Sequence, residues 1–342
     1  MRLSDGPYAD AATRWFSDSA GASAARRLIE HGVSEERSAW QAFRAFGLGT
    51  ILVDERDPQE RAAIVAQVSL SAAHALYTGP VLEGEGAAYL GIDVAGTLTI
   101  VAIANDTAPA SATGAGGTSD APMRFAHAAA SDRLLGVVVR GDVARLVNVG
   151  MDRAAGRGKA SRLADGSSEA VFALPDIADG AIPQGTPIDA NATREWRDLL
   201  WLSTAARLVG VSEESLLHSL EYLQTRTQFG RTLSSFQVLQ HQTVDRHCDV
   251  LMVRALLDRV LVHWANPALR RALLPALKAL AAKVALATTK SSVQHFGATG
   301  FSHEGDAGLY LRHAMTLAAR HGDERTHRRA FARTNIDLLG QV

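Results

Sequence analysis

The fold of this protein is indicated most clearly by the stretch Arg226-Thr227-Gln228-Phe229-Gly230, followed by Phe236-Gln237. A second stretch, Gln294-His295-Phe296-Gly297-Ala298-Thr299-Gly300, lies further along the chain. Each borders a long helical pattern of apolar residues. An arginine offers several N–H donors to a pyrophosphate, and a phenylalanine offers a flat face to an adenine. A glutamine both donates and accepts, and a glycine lets the backbone approach a ligand. The two stretches therefore predict a dinucleotide-binding surface at helix ends.

The composition is that of an ordinary globular protein. The chain has 342 residues, enough for two or three domains, of which 47% are hydrophobic and 21% charged. The net charge of −1 gives no reason to expect a nucleic acid or an anionic membrane as a partner. Apolar runs are interrupted short of the roughly 20 residues that a membrane span needs. The N-terminal residues lack the apolar core of a signal peptide, and Cys248 is the only cysteine, so we expect a cytoplasmic protein.

The spacing of apolar residues changes twice along the chain. Residues 9–90 have the spacing of short helices, and Gly79-Pro80 interrupts them. Strand-like runs follow at 97–103, 134–139, 144–149 and 170–174, with a loop predicted over 108–122. Long helices are predicted near 196–226, 235–264, 267–296, 306–321 and 325–338. Asn266-Pro267 is typical of a helix start, while Gly297 and Gly322 are typical of helix C-caps.

The two stretches resemble the FAD motifs of the acyl-CoA dehydrogenase family, whose members bind FAD across a subunit interface. The resemblance covers most of the chain and is most specific after Gly210, with Tyr222 one helical turn before the arginine. It implies that FAD is the cofactor. The positions that match the FAD-binding residues of the family are Arg226, Gln228, Phe229, Leu233, Phe236, Gln294 and Gly297.

The resemblance also implies the fold class, which is mainly α with a small β domain. The three-domain fold of the family would comprise a helical N-terminal domain at 1–95 and a reduced middle β-domain at 96–188. A C-terminal four-helix-type bundle with the adenine-side FAD motifs would occupy residues 189–342.

Several elements of the family pattern are missing. The ring-side elements of the family include a Thr-Glu-Pro loop and a strand that contains tryptophan. This sequence has no Thr-Glu-Pro, and no tryptophan lies between Trp40 and Trp196. Residues 114–120 resemble the glycine turn of the family only faintly, and a flexible loop is the alternative. Ala298 replaces a second glycine, and Arg312-His313-Ala314 stands where the family has Arg-Asp-Ala.

The catalytic base of the family is also missing, so the catalytic residue stays unknown. Counted from Arg312, the glutamate of the family falls on His321. In members that carry the glutamate on an earlier helix, the equivalent position here is Leu200. A histidine titrates near neutral pH and can act as a base. The alternative is a histidine favoured by the dipole at a helix C-terminus. Asp323 and Glu324 lie nearby and are expected to be solvated.

These features favour a flavoprotein subunit of an acyl-CoA dehydrogenase that contributes the trans half of an FAD site. By resemblance, its partners would be an acyl-CoA substrate and a second acyl-CoA dehydrogenase-like chain, forming the α2β2 heterotetramers of actinobacterial steroid side-chain degradation. An electron-transfer flavoprotein is a candidate electron acceptor. Two alternatives stay open. One is a self-sufficient dehydrogenase that uses His321 or a displaced carboxylate, and the other is a non-catalytic scaffold.

Other chemistries have less support in the sequence. Glu324-Arg325-Thr326-His327 has the spacing of one di-iron ligand pair, but such sites need a second pair. Gly114-x-Gly116 follows a predicted strand, yet no helix opens after it, as a Rossmann site would require. The twelve histidines are scattered along the chain. No metal site is predicted.

Overall fold

The computed structural model describes residues 7–94, 97–103, 123–140, 142–149, 160–172, 186–302 and 305–339. Its contacts divide the chain into two compact units. The first unit comprises Met1–Arg27, Asp57–Thr78 and Trp201–Val342, and the second comprises Leu28–Arg56 and Gly79–Leu200. The three-domain boundaries that the sequence suggests stay a prediction.

The fold is mainly α-helical, as predicted. Helices occupy both ends of the described chain, and strands lie between them. The helices are α1 (Pro7–Ser19), α2 (Ala22–His31), α3 (Val33–Arg44), α4 (Leu48–Asp54), α5 (Pro58–His74), α6 (Gly86–Tyr89), α7 (Ala190–Thr225), α8 (Gln237–Val262), α9 (Pro267–Phe296), α10 (Ala298–Phe301), α11 (Ala307–Ala319) and α12 (Glu324–Leu339).

Helix α9 is the central helix of the first unit. It packs against α8, α11 and α12. Asn266 caps its first turn by accepting hydrogen bonds from the backbone N–H groups of Ala268 and Leu269, at 3.0 and 3.2 Å. Pro267 occupies the first helical position, where its missing N–H has no intrahelical partner to lose. The start that the sequence predicted for this helix is therefore confirmed.

Helix α9 is also the one helix among the described residues that is long and apolar enough to cross a membrane. Its most apolar 18-residue window has a mean hydropathy of 1.4, and 67% of that window is buried inside the structure. A helix that is apolar all round is expected at the centre of a bundle, because every face has a neighbour to pack against.

The strands build the core of the second unit. They are β1 (Thr99–Ile103), β2 (Met123–Ala126), β3 (Arg133–Arg140), β4 (Val143–Val149), β5 (Ser161–Arg162), β6 (Ser168–Phe172) and β7 (Thr186–Ile188). They pair in the orders β1-β3-β4-β7 and β2-β6-β5. Only the β1–β3 pair among them is parallel. Phe125 and Phe172 meet edge to face at 5.4 Å between these strands, in a buried cluster that also contains Trp40.

A buried hydrogen-bond network joins helix α3 to the strands of the second unit. Glu36 Oε1 lies 2.7 Å from His127 Nδ1. The Glu36 carboxylate also accepts hydrogen bonds from the backbone N–H and the hydroxyl of Ser168, at 2.9 and 2.7 Å. Burial by itself would raise the pKa of Glu36, but the hydrogen bonds from His127 and Ser168 outweigh it and lower that pKa.

Most predicted elements are confirmed within a few residues, and three details differ. Helix α7 begins at Ala190 and not near 196, because Asp189 starts it by accepting a hydrogen bond from the backbone N–H of Asn191 at 2.7 Å. Strand β6 begins at Ser168, two residues earlier than predicted, and residues 173–174 of that prediction lie outside the described residues. Gly322 lies two residues past the C-cap of α11, Arg320. The predicted loop at 108–122 and the glycine turn at 114–120 lie outside the described residues.

Candidate functional site

The first predicted motif forms a short hairpin directly after helix α7. Strand β8 (Thr227–Gln228) pairs antiparallel with strand β9 (Arg231–Thr232). The two turn residues, Phe229 and Gly230, have φ angles of 52° and 75°, as a two-residue hairpin turn of type I′ requires. The backbone N–H of Leu233 donates to the carbonyl of Arg226 at 2.9 Å and closes the base of the hairpin. The motif therefore has a defined shape before any ligand binds.

The hairpin presents aromatic and cationic groups to solvent. Phe229 is 90% exposed, and its ring meets that of Phe236 edge-on at 6.1 Å. The guanidinium carbon of Arg231 lies 3.9 Å above the centre of the Phe236 ring. Arg226 and Gln228 are exposed as well. An exposed ring beside exposed guanidinium groups suits an adenine joined to phosphates.

Leu233 and Phe236 support the hairpin from the short 3-10 turn that follows it. Both are half-buried, and Phe236 is the residue before the first turn of α8. The side chain of Gln240 donates to the carbonyl of Ser234 at 2.8 Å and holds this turn against the helix. Phe236 thus lies beside the ring of Phe229, and Leu233 is joined through its backbone to the base of the hairpin.

The second predicted motif ends helix α9. Gly297 is the C-cap of the helix, with φ 61° and ψ −135°, a conformation that L-residues with a side chain rarely adopt. A Cβ atom at Gly297 would meet nothing within 4 Å, so the backbone here is open to a ligand. Gln294 and Gly297 are both exposed.

The last turns of α7, just before the first motif, contact residues of the second motif. Tyr222 and Phe296 stack with ring centres 4.2 Å apart and planes 19° apart. One helical turn away, the Ser219 hydroxyl and His295 Nδ1 lie 2.6 Å apart, and burial lowers the pKa of His295. The ends of α7 and α9 therefore meet, and the hairpin that follows α7 begins next to the second motif. The exposed ring, guanidinium, amide and open backbone fit the adenine side of FAD.

His321 lies in the turn between α11 and α12. Its backbone is left-handed, with φ 57°, and its side chain is half-buried. Asp323 caps helix α12 by accepting a hydrogen bond from the backbone N–H of Thr326 at 2.8 Å, and hydrogen bonds from Thr326 lower the pKa of Asp323. Glu324 pairs with Arg328 at 2.7 Å. The carboxylates beside residue 321 therefore have structural partners. The other position considered for a base, Leu200, is buried and apolar.

Sequence reasoning missed two buried bases near this turn. Lys278 and His327 are 0% and 1% exposed. His327 belongs to the Glu-x-x-His spacing, but its ring packs edge-on against Trp201 at 4.7 Å. No group of three potential metal-ligating side chains occurs in the described ranges. Lysine is rarely buried and histidine is buried only in part of its occurrences, so no sequence signal marked these two as buried.

A third buried base, His313, stands where the resembled family has aspartate. Its Nε2 lies 3.4 Å from Nη2 of Arg207, which also donates to the carbonyl of Tyr77 at 2.9 Å. A guanidinium only donates, so Nε2 of His313 is the accepting nitrogen of a neutral ring.

A groove of about 780 Å³ lies between α11 and α12 over the surface of α9. Its apolar floor includes Ala282 and Met315, and Arg325 and Arg329 stand on one wall. None of the predicted FAD-binding residues lines the groove, so it is a separate feature of the first unit.

The C-terminal part of the chain is similar to known proteins. Residues 201–335 match the family model for the acyl-CoA dehydrogenase C-terminal domain. Acyl-CoA dehydrogenase IpdE2 of Mycobacterium tuberculosis is 32% identical over 111 residues, which are 32% of this chain and 33% of that protein. The matched segments cover between 30% and 45% of the length of the curated relatives.

Solved structures show the same fold over nearly the whole chain. The steroid ACAD Tcur3481-Tcur3483 has a TM-score of 0.73 at 15% identity, and the match covers 97% of this chain and 98% of that one. The ChsE4-ChsE5 complex from Mycobacterium tuberculosis has a TM-score of 0.70 at 16% identity, covering 98% and 99%. At such identities the likeness establishes the fold and nothing more.

The described chain is mainly helical and has the fold of solved acyl-CoA dehydrogenases. Residues 201–335 match the C-terminal domain of the acyl-CoA dehydrogenase family. FAD is the cofactor that this family indicates, as the sequence predicted. A solved FAD complex of PigA shares the fold, with a TM-score of 0.69 at 18% identity. The match covers 99% of this chain and 98% of that one.

Proposed function

We propose that this chain is the subunit of an acyl-CoA dehydrogenase that supplies the adenine side of an FAD site to a partner chain. The observation that carries the proposal is Phe229, an aromatic ring 90% exposed at the tip of a fixed hairpin. Exposing a phenyl ring to water is unfavourable, so a ring held outward in this way suits a surface that another molecule covers. The missing Thr-Glu-Pro loop and tryptophan strand in this sequence support a partner as the source of the flavin-ring half.

The reaction would form the α,β double bond of an acyl-CoA thioester. Bound FAD supplies the hydride acceptor. Arg226 would neutralise the pyrophosphate with charge-assisted hydrogen bonds, and Phe229 and Phe236 would enclose the adenine. Gln294 and the open backbone at Gly297 would complete the adenine side. The proton at the α-carbon would go to a carboxylate of the partner, because residue 321 of this chain is a histidine.

The remaining parts of the proposal concern partners and place of action. An unlike acyl-CoA dehydrogenase chain, in an α2β2 assembly, is the proposed partner, and a bulky acyl group such as a steroid side chain is the proposed substrate. Two structural neighbours support both points, since one is a steroid ACAD and the other is a two-chain complex. An electron-transfer flavoprotein is the proposed electron acceptor, and the cytoplasm is the proposed location.

The flavin content of the purified chain tests the proposal. Expressed by itself, the chain should carry little or no FAD. Coexpressed with an acyl-CoA dehydrogenase-like chain from a neighbouring gene, it should give a yellow complex with one flavin per heterodimer, measured by absorbance and native mass spectrometry. Stoichiometric FAD on the chain expressed by itself would contradict the proposal.

A further inference from the structure

One face of the hairpin carries an arginine to which neither predicted motif assigns a role. In the ladder of β8 and β9, Gln228 lies directly opposite Arg231, and Thr227 lies opposite Thr232. Residues that lie opposite each other in an antiparallel pair point to the same side, and successive residues point to opposite sides. Arg231 therefore shares a face with Gln228, whereas the two threonines lie on the other face.

The same face continues at the base of the hairpin. The backbone N–H of Leu233 donates to the carbonyl of Arg226 at 2.9 Å, which pairs these two residues across the hairpin. Each lies two positions from Arg231 or Gln228 along its strand, so both return to the same face. Arg226, Gln228 and Leu233 match FAD-binding positions of the family, and Arg231 lies among them.

The guanidinium group of Arg231 is held by the ring of Phe236. Its carbon lies 3.9 Å from the ring centre, a distance at which a cation and an aromatic face attract each other. Stacking covers the flat side of the guanidinium, while the N–H groups in its plane remain able to donate. Arg231 is exposed, and in the described part of the chain neither it nor Arg226 forms an ion pair. Within those residues, this face therefore presents two guanidinium charges and no carboxylate that neutralises them.

The relative placement of Arg226 and Arg231 suits two linked phosphates. They are diagonal neighbours on the hairpin, a relation in which residues lie about 7–8 Å apart and long side chains reach each other. Two like charges at this separation repel, and an anion bound between them offsets the repulsion. FAD carries a pyrophosphate with a negative charge on each phosphate, and a guanidinium pairs with a phosphate through parallel hydrogen bonds. One arginine is therefore available for each phosphate.

We propose that Arg231 is a second phosphate-binding residue of the adenine-side site, acting beside Arg226 on the pyrophosphate of FAD. Its stacking on Phe236 fixes the guanidinium beside the rings that would enclose the adenine. The proposal rests on the proposed function, because it requires that FAD binds at this hairpin. Substitution of Arg231 should therefore weaken phosphate binding and leave adenosine binding unchanged.

Competition between FAD and its fragments tests this role in the complex of the chain with its partner, after removal of bound flavin. Equilibrium dialysis measures the affinity for FAD, with ADP and adenosine as competitors. Arg231→Gln should weaken the binding of FAD and ADP by about ten- to hundredfold, because charge-assisted hydrogen bonds are lost, and should leave adenosine binding unchanged. Arg231→Lys keeps the charge and should lose less.

Arg271→Gln is the matched control, since Arg271 is also exposed but lies near the start of α9. It should bind all three ligands as the wild type does. Because Arg231 is exposed, its replacement should leave the fold intact, which the thermal midpoint of each variant checks.

Three results would overturn the proposal. Equal losses of ADP and adenosine in Arg231→Gln would mean that the residue only supports Phe236. Unchanged FAD affinity in that variant would mean that Arg231 does not touch the pyrophosphate. An equal loss in Arg271→Gln would point to a general effect of charge.

Arg226→Ala in the same complex separates failure of this proposal from failure of the proposed function. If Arg226→Ala weakens FAD binding and Arg231→Gln does not, only the role of Arg231 is wrong. If the complex binds no FAD, or if both variants bind it as well as the wild type, the hairpin is not the FAD site and the proposed function is wrong too.

Discussion

Phe229 holds a phenyl ring where the backbone is left-handed, at φ 52°, and where the side chain is 90% exposed. Both features are unfavourable for phenylalanine in the isolated chain. Neighbouring Gly230 tolerates positive φ without penalty, so the hairpin by itself does not need an aromatic residue. A ligand that stacks on the ring is the physical reason we give for its presence.

Replacement of Phe229 should separate ligand binding from folding. Phe229→Gly removes the ring and also relieves the left-handed strain, so the thermal midpoint of the chain should not fall. Flavin retention in the complex should drop by about ten- to hundredfold, because stacking of an aromatic ring on a base is worth roughly 1–3 kcal/mol. Thermal unfolding and flavin absorbance of the same preparation measure the two effects. Full flavin occupancy in this variant would show that the ring does not touch the adenine.

Arg226→Ala should weaken FAD binding by the complex about ten- to hundredfold, since hydrogen bonds to a charged group contribute roughly 1.5–3 kcal/mol. Arg271→Ala is the matched control, because Arg271 is also exposed but lies near the opposite end of α9 from Gln294. Equilibrium dialysis of FAD measures both variants. Equal losses in the two variants would point to a general charge effect and not to a pyrophosphate contact.

His321→Ala should leave dehydrogenation by the complex largely unchanged if the partner supplies the base. A positioned general base is typically worth about 10²–10⁴ in rate, and a neutral histidine acting as base would make the rate rise as pH passes its pKa. Steady-state turnover across pH 5.5 to 9 distinguishes the two cases. A loss of a hundredfold or more, together with disappearance of the rising limb, would mean that this chain carries its own base.

At the scale of elements, helix ends determine where the candidate site lies. The hairpin follows the C-terminus of α7, and the second motif is the C-cap of α9. Helix α9 is positioned by packing along its length and by its capped start, so its C-terminal end can present Gly297 at a fixed place. Capping at one end of α9 therefore contributes to the geometry at the other.

Asn266→Ala should destabilise the chain by about 1 kcal/mol, because it leaves two N–H groups in the first turn of α9 without their acceptor. Asn266→Ser should retain most of the stability, since serine also accepts from these groups. Urea unfolding followed by circular dichroism measures both changes. If alanine and serine are equally destabilising, the side-chain cap does not stabilise this helix.

At the scale of the whole molecule, the two compact units should respond differently to acid. The pKa of His327 in the first unit is lowered to about 3. The folded first unit therefore binds fewer protons than its unfolded form between pH ~6.5 and ~3. Its free energy of unfolding falls by up to ~1.4 kcal/mol for each pH unit of acidification across that window.

The pKa of Glu36 in the second unit is also lowered. The stability that Glu36 contributes is fully present above the ordinary carboxyl pKa. It is lost only as the pH falls through the lower pKa that Glu36 has in the folded protein.

Acidification should therefore reduce hydrogen-exchange protection first in α11 and α12, and only at lower pH in α3 and β6. His327→Gln is the matched variant, because its side-chain amide can still donate to the His321 carbonyl but does not titrate. In this variant the early loss of protection should disappear. Simultaneous loss in both units, unchanged by His327→Gln, would contradict the assignment of these pH windows.

The sequence by itself determined the features that depend on residues close together in the chain. Helical and strand-like spacing, the Asn266-Pro267 start and the glycine at the end of α9 are local properties, and the structure confirms them. The motif around Phe229 resembled the acyl-CoA dehydrogenase family for the same reason, since a hairpin is built from consecutive residues. The start of α7 was missed because Asp189 lies before the apolar pattern begins.

Tertiary structure alone decided which distant residues meet. The stacking of Tyr222 on Phe296 unites the two motifs, and no sequence spacing announces it. The burial of Lys278 and His327 was equally invisible, because these residue types are usually solvated and their partners are backbone carbonyls. Carbonyls occur at every residue, so a sequence does not mark the ones left without a partner. The packing of α9 against the end of α11 determines which of these carbonyls accept hydrogen bonds from Lys278.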